Sequence, residues 1–141
     1  MFGSPRSPAA AYRNVGLDTE LASASPHKLI LMLLEGALMA VSTAGSYMAE
    51  KRIAEKGQAI SKAIDIITNG LKSSLNYEAG DELAERLGAL YEYMCTRLLY
   101  ANLRNDRAAL DEVASLLREI KSGWEEIANH PDVLSANSQP D

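Results

Sequence analysis

From Leu29 to Val41 the chain reads Leu-Ile-Leu-Met-Leu-Leu-Glu-Gly-Ala-Leu-Met-Ala-Val, with Glu35 its only charged residue. A surface helix of a globular protein is apolar along one stripe. This one is apolar nearly all round, so it must be covered on more than one side. The run's thirteen residues span about 20 Å as a helix, short of the roughly 30 Å of bilayer hydrocarbon. His27 and Lys28 abut one end, and Ser42, Thr43 and Ser46 follow the other, which disfavours a membrane span. The cover must come from the rest of the chain or from a partner.

A chain of 141 residues is long enough for one domain with a real core. Its net charge of -5 argues against nucleic acid, which needs a concentrated basic patch to displace counterions, and against anionic membrane surfaces. The single Cys95 has no internal disulfide partner, and Met1 to Ala11 contain no apolar signal stretch. A reducing, cytoplasmic setting is expected.

Residues 1–24 hold Gly3, Pro5, Pro8, Gly16 and several serines, with Tyr12 the one large side chain mid-segment. This composition predicts a mobile N-terminal arm. Ser25 as N-cap and Pro26 at the first helical position mark a helix start. Its core stripe is Ile30, Leu33, Leu34, Ala37, Val41, Ala44 and Met48. The phase is lost at Lys51 and Glu55, and a new stripe runs through Ile53, Gly57, Ile60, Ile64, Ile67 and Leu71. A break therefore falls near residues 49–52, although neither Gly nor Pro marks it. The second helix should end near Leu75, before the turn cluster Asn76, Ala79, Gly80 and Asp81. A third helix carries Leu83, Leu87, Leu90, Met94, Leu98 and Ala101. Asp106 is the expected N-cap of a fourth, with Leu110, Val113, Leu117, Ile120, Trp124 and Ile127. The expected fold is all-α: an antiparallel four-helix bundle over residues 25–129, with a mobile arm before it and a disordered tail over 130–141.

Several helices carry a second apolar row. On the first helix it is Leu29, Met32, Met39 and Ala40, with Leu31 and Leu38 on the opposite margin. The second adds Ala59, Ala63 and Ile66, the third Tyr93 and Tyr100, seven apart, and the fourth Leu116. These rows either face neighbours inside a small bundle or line a groove for an amphipathic partner segment, for which adaptable methionines are suited. The candidate partner-binding residues are Tyr12, Leu29, Met32, Leu38, Met39, Ile66, Tyr93, Tyr100 and Leu116. Since monomers rarely leave large apolar patches bare, the arm bearing Tyr12 is a candidate latch over the groove.

Catalytic chemistry finds little support. A two-metal bundle site needs Glu-x-x-His pairs, and no Glu lies three residues before His27 or His130. Cys95 beside Met94 reads as a small buried hydrophobe. Neither histidine is mid-helix, as a phosphotransfer bundle requires. His130-Pro131-Asp132 matches the tripeptide of J-domain co-chaperones, but lies past the last helix rather than between two helices. The acidic pairs Asp111-Glu112 and Glu125-Glu126 read as a solvated face that could bias a partner's approach.

The stretch Ser23-Ala24-Ser25-Pro26-His27-Lys28-Leu29-Ile30, with Met32-Leu33 and Glu35-Gly36-Ala37, resembles the start of the flagellin export chaperones, the FliS family. The similarity continues through Ser61-Lys62-Ala63-Ile64-Asp65-Ile66-Ile67 and Asn69-Gly70-Leu71-Lys72. It returns at Leu90-Tyr91-Glu92-Tyr93-Met94, at Ala101-Asn102-Leu103-Arg104-Asn105-Asp106, and at Trp124. The resemblance implies a non-enzymatic cytoplasmic chaperone whose helical bundle is wrapped by the disordered C-terminal segment of flagellin. It implies that premature polymerisation is prevented and that the complex is handed to the flagellar type III export gate. It further implies a monomer that takes up one flagellin, with no ATP, metal or covalent step and no membrane insertion. A tyrosine in the arm is typical of the family, and Tyr12 matches it. The chain departs from the family pattern at Lys51-Arg52, where a Gly-Asp turn is usual, and at Gly80-Asp81 in place of Gly-Gly. The Pro- and Ser-rich stretch before Tyr12 is a third departure. The rival readings are a helical subunit that oligomerises through its spare apolar rows and a phosphotransfer signalling bundle.

Overall fold

The computed structural model describes residues 25–75 and 82–128. The arm with Tyr12, the cluster at 76–81 and the tail from 129 onward lie outside the described residues. Four helices follow in order: α1 (Pro26–Ala49), α2 (Ile53–Asp65), α3 (Glu82–Arg104) and α4 (Arg107–Ala128). No strand occurs among the described residues.

Helix α1 starts as its sequence demands. The Ser25 side chain accepts a hydrogen bond from the Lys28 N–H at 3.1 Å, and Pro26 occupies the first turn, where its missing N–H goes unneeded. The helix outruns the apolar stretch to 24 residues, and by length and composition it could cross a membrane. That corrects the length argument made from thirteen residues. Burial accounts for part of the apolarity: Leu33, Leu34, Ala37, Ala40, Val41 and Ala44 are enclosed by the protein's own helices, whereas Met39 is exposed.

The α1–α2 break falls where the phase shift predicts, and its mechanism needs no glycine. Lys51 takes the left-handed conformation (φ 61°). Its N–H donates to the Met48 carbonyl at 3.1 Å, and the Arg52 N–H to the Tyr47 carbonyl at 2.9 Å. This is the Schellman pattern that satisfies a helix's last carbonyls. Arg52 secures the turn by lying 4.7 Å over the Tyr47 ring and pairing with Glu50 and Glu55. The α3–α4 turn repeats the solution with Asn105 left-handed (φ 51°) and the Asp106 N–H donating to the Ala101 carbonyl at 3.1 Å. Asp106 then caps α4 as expected, its carboxylate accepting from the Ala109 N–H at 3.2 Å.

The second helix departs from a single regular α-helix. After Asp65 it widens into a π turn (Ile66–Leu71) and finishes in a 3₁₀ turn (Lys72–Ser74). Side chains take up backbone carbonyls there, with Ser73 donating to Asn69 O and Ser74 to Gly70 O, both at 2.5 Å. Ile66, Ile67, Gly70 and Leu71 are all buried.

Cross-helix contacts fix an antiparallel register. On the α1–α4 seam Trp124 Nε1 donates to the His27 carbonyl at 2.9 Å, with the two rings stacked 4.8 Å apart. At the other end of that seam the Arg107 guanidinium donates to the Gly45 carbonyl at 3.1 Å. A Cβ at Gly45 would stand 3.0 Å from that guanidinium carbon, a tight approach that the arginine would have to yield to. On the α2–α3 seam Lys72 pairs with Glu92 at 2.7 Å, and Lys56 Nζ donates to the Asn102 carbonyl at 3.0 Å and to Asn105 Oδ1. Lys56 is fully buried, and its cation sits at the carbonyl end of α3, where the helix dipole favours it. Helix α1 packs on α2 and α4, and α3 packs on the same two. Helices α1 and α3 therefore lie across the bundle from each other.

The predicted stripes supply most of the core, with Leu34, Ile60, Ile67, Leu71, Met94, Leu98, Leu110, Val113 and Leu117 fully buried. Ile53 and Leu83, at the first turns of α2 and α3, are exposed instead, and Ile127 near the end of α4 is too. Stripe ends project beyond the neighbouring helices. Lys51→Gly should stabilise the fold by about 1 kcal/mol, since a non-glycine residue is costly in the left-handed region. Urea denaturation followed by circular dichroism checks this; an unchanged midpoint would contradict it.

Candidate functional site

The structure sorts the second apolar rows into core and surface. Ala40, Ala59, Ala63 and Ile66 are buried. Ile66 is thereby corrected from a partner-binding candidate to a core residue, facing α1 with its Cδ1 3.6 Å from where a Gly36 side chain would begin. Leu29, Leu38 and Leu116 are partly buried and pack against the core, and Met32 is half-buried. Met39 is 71% exposed, Tyr93 44% and Tyr100 41%. Tyr12 lies outside the described residues.

These candidates do not line one groove. Leu29, Met32 and Met39 belong to α1; Tyr93 and Tyr100 belong to α3, across the bundle, with Leu116 on neighbouring α4. Helices α2 and α4 stand between the two groups. A partner touching both must pass around the bundle rather than lie in a single cleft.

The α3–α4 face has a polar organisation that the apolar pattern did not reveal. Tyr93 donates its phenol hydrogen to Glu112 Oε2 at 2.5 Å, and Arg97 Nε donates to Glu112 Oε1 at 2.7 Å. The Arg97 guanidinium also lies 5.0 Å from the Tyr100 ring centroid. These donors hold the Glu112 carboxyl below the usual carboxylate range, the Tyr93 phenol first and Arg97 next, and the same bonds push Tyr93 and Arg97 up. Glu112, expected on a merely solvated face, is instead a bridge between helices one turn from Leu116. Large apolar side chains missed by the reading of rows also surface on α3: Leu99 at 60% and Leu103 at 77% exposed. Both sit outside the α3 core stripe, so counting apolar residues off the stripe was the signal that could have found them.

Among the described residues other chemistry is sparse, with no group of His, Cys, Asp and Glu placed to hold a metal ion. Cys95 is a free, partly buried thiol packed against the core, with its Sγ 3.3 Å from Thr68 Oγ1. The His27 ring is stacked on Trp124 and its Nε2 is buried without a hydrogen-bond partner among the described residues.

Comparison with known proteins decides the family. The family model for flagellar protein FliS matches residues 8–131. The chain belongs to the FliS family. The flagellar secretion chaperone FliS of Salmonella typhimurium is 48% identical over 118 residues, covering 84% of this chain and 87% of that protein. Its namesake from Escherichia coli is 44% identical over 124 residues, 88% of this chain and 91% of that one. The Bacillus subtilis chaperone is 31% identical over 121 residues, 86% of each. These FliS relatives bear the name of chaperones, a non-enzymatic role.

The bridge at Glu112 has a pH signature. Its folded pKa lies below the unfolded value, so its contribution to stability is complete above the ordinary value of 4.5 and is lost as pH falls through the folded one. Carboxyl NMR should place Glu112 below 4.5 in the wild type and move it upward in Tyr93→Phe. An unshifted Glu112 would remove the bridge.

Proposed function

We propose that this FliS-family chain is a cytoplasmic export chaperone for flagellin. It binds the disordered C-terminal segment of flagellin one to one, prevents premature polymerisation, and presents the complex to the export gate of the flagellar type III apparatus. Membership of a family of flagellar secretion chaperones, over nearly the whole chain, is the observation that carries this reading. The distribution of exposed apolar side chains supports it further. A segment that wraps can use Met39 on α1 as well as Tyr93 and Tyr100 on α3, whereas a single rigid helix lying in one groove reaches only one side.

Physical requirements point the same way. A client that must stay unfolded for export yet not aggregate needs its apolar residues covered over a long contact. Coupled folding and binding buries on the order of 1,000–3,000 Å² while spending roughly 2–5 kcal/mol on ordering. Such a contact is specific, and when pulled from one end it releases step by step.

Co-expression with flagellin followed by affinity capture tests the role. Full-length flagellin should be retained and flagellin lacking its C-terminal segment should not; equal retention of both would refute it. Light scattering should find a monomer when the chain is free, whereas a stable oligomer would favour the structural-subunit reading. Met39→Glu should weaken flagellin binding about tenfold or more while changing stability by less than about 0.5 kcal/mol, because Met39 is exposed. If it melts the protein and binding merely tracks stability, the α1 face is misassigned. Tyr12 on the arm acts as a latch over the apolar rows when flagellin is absent. Tyr12→Ala should then leave the bundle folded and speed hydrogen exchange along α1; unchanged exchange and unchanged flagellin affinity would remove the latch.

A further inference from the structure

Helix α3 carries one residue pair twice. Tyr93 and Arg97 stand four apart, as do Tyr100 and Arg104, and seven residues separate the pairs. Two turns of helix nearly restore the angular position, so both pairs lie on the side of α3 that meets α4. The first pair shows what the arrangement does: phenol and guanidinium together grip the side-chain carboxylate of Glu112, at 2.5 and 2.7 Å. In the second pair the Arg104 guanidinium lies 6.0 Å from the Tyr100 ring centroid, and Arg97 lies 5.0 Å from the same ring.

The two pairs differ in what α4 offers them. Because α4 runs antiparallel to α3 and begins at Arg107, its acids reach the first pair. Seven residues before Glu112 comes Asn105, already in the turn. Among the described residues Arg104 meets no carboxylate, and the Tyr100 hydroxyl has no hydrogen-bond partner.

We infer that Tyr100 and Arg104 form a second carboxylate clamp, built like the Tyr93–Arg97 grip on Glu112, which receives an aspartate or glutamate side chain of the guest polypeptide. This rests on the flagellin-binding role proposed above. A guest carboxylate is attracted where an arginine and a phenol stand together without an acid in contact, which sets the register of a bound segment as well as its strength. Leu103, 77% exposed and three residues from Tyr100, offers apolar surface beside the clamp, so the guest acid is flanked by a large apolar residue.

The test is a binding titration of the flagellin C-terminal segment, at low and high salt, against wild type, Arg104→Gln and Tyr100→Phe. Arg104 is exposed, and circular dichroism should show all three equally folded. Arg104→Gln should weaken binding about three- to tenfold at low salt, less at high salt, and Tyr100→Phe by a smaller factor. Changing one particular Asp or Glu of the segment to its amide should reproduce the loss in wild type and add nothing in Arg104→Gln. Equal binding by Arg104→Gln and wild type, while Met39→Glu still loses affinity, would overturn the clamp and leave the flagellin role standing. Weakened binding that couples to no side-chain acid, or only to amidation of the segment's terminal carboxylate, would also overturn it. Failure of the segment to bind wild type would overturn the flagellin role and the clamp together.

Discussion

Helix α1 has to be enclosed on two sides, and that requirement organises the rest of the bundle. Its inward surface combines large side chains, Leu33 and Leu34, with the small Ala37, Ala40, Ala44 and Gly45. Small residues let neighbouring helices approach closely, and α2 and α4 take the two flanking positions. The Arg107 guanidinium over Gly45 and the Trp124 indole on the His27 carbonyl fix the α4 flank at both ends. With α1 flanked by α2 and α4, α3 fills the remaining position and completes the core with Tyr91, Met94, Leu98 and Ala101.

This arrangement sets what is left outside. Helices α1 and α3 sit on opposite corners, and each keeps an outward face that the bundle does not cover. Met39 occupies one face; Tyr100, Leu99 and Leu103 occupy the other. Apolar residues held apart by a rigid core suit a flexible client that passes around the molecule, since the chaperone's own helices need not move to receive it. The Tyr100–Arg104 pair on α3 adds direction to a surface that hydrophobicity alone would leave without register.

The helical architecture was legible because four stripes of period near 3.6 each contain five or more large apolar residues, and the capping residues Ser25 and Asp106 were written into the chain. The break at residues 49–52 was visible as a phase shift, but not its mechanism: Lys51 in a left-handed conformation is tolerated because the Schellman bonds and Arg52 over-determine the turn. The π turn at Ile66–Leu71 left no periodic signature over so short a stretch. At the candidate site, apolar periodicity could not tell a row that faces a neighbour from one that faces solvent. Ile66 and Met39 looked alike in the sequence and ended at opposite extremes of burial. The Glu112 bridge depends on the pairing of α3 with α4, a tertiary fact no single-helix pattern contains.

The central claim is that apolar side chains left outside this bundle are covered by a segment of flagellin that orders as it binds. Calorimetric titration of that segment at several temperatures measures this most directly, because burial of apolar surface lowers the heat capacity. Contacts of the expected extent predict a binding heat-capacity change of about -0.2 to -0.5 kcal/mol/K, accompanied by new helical signal in the segment. A saturable interaction with a heat-capacity change near zero and no gain in helix would contradict the account.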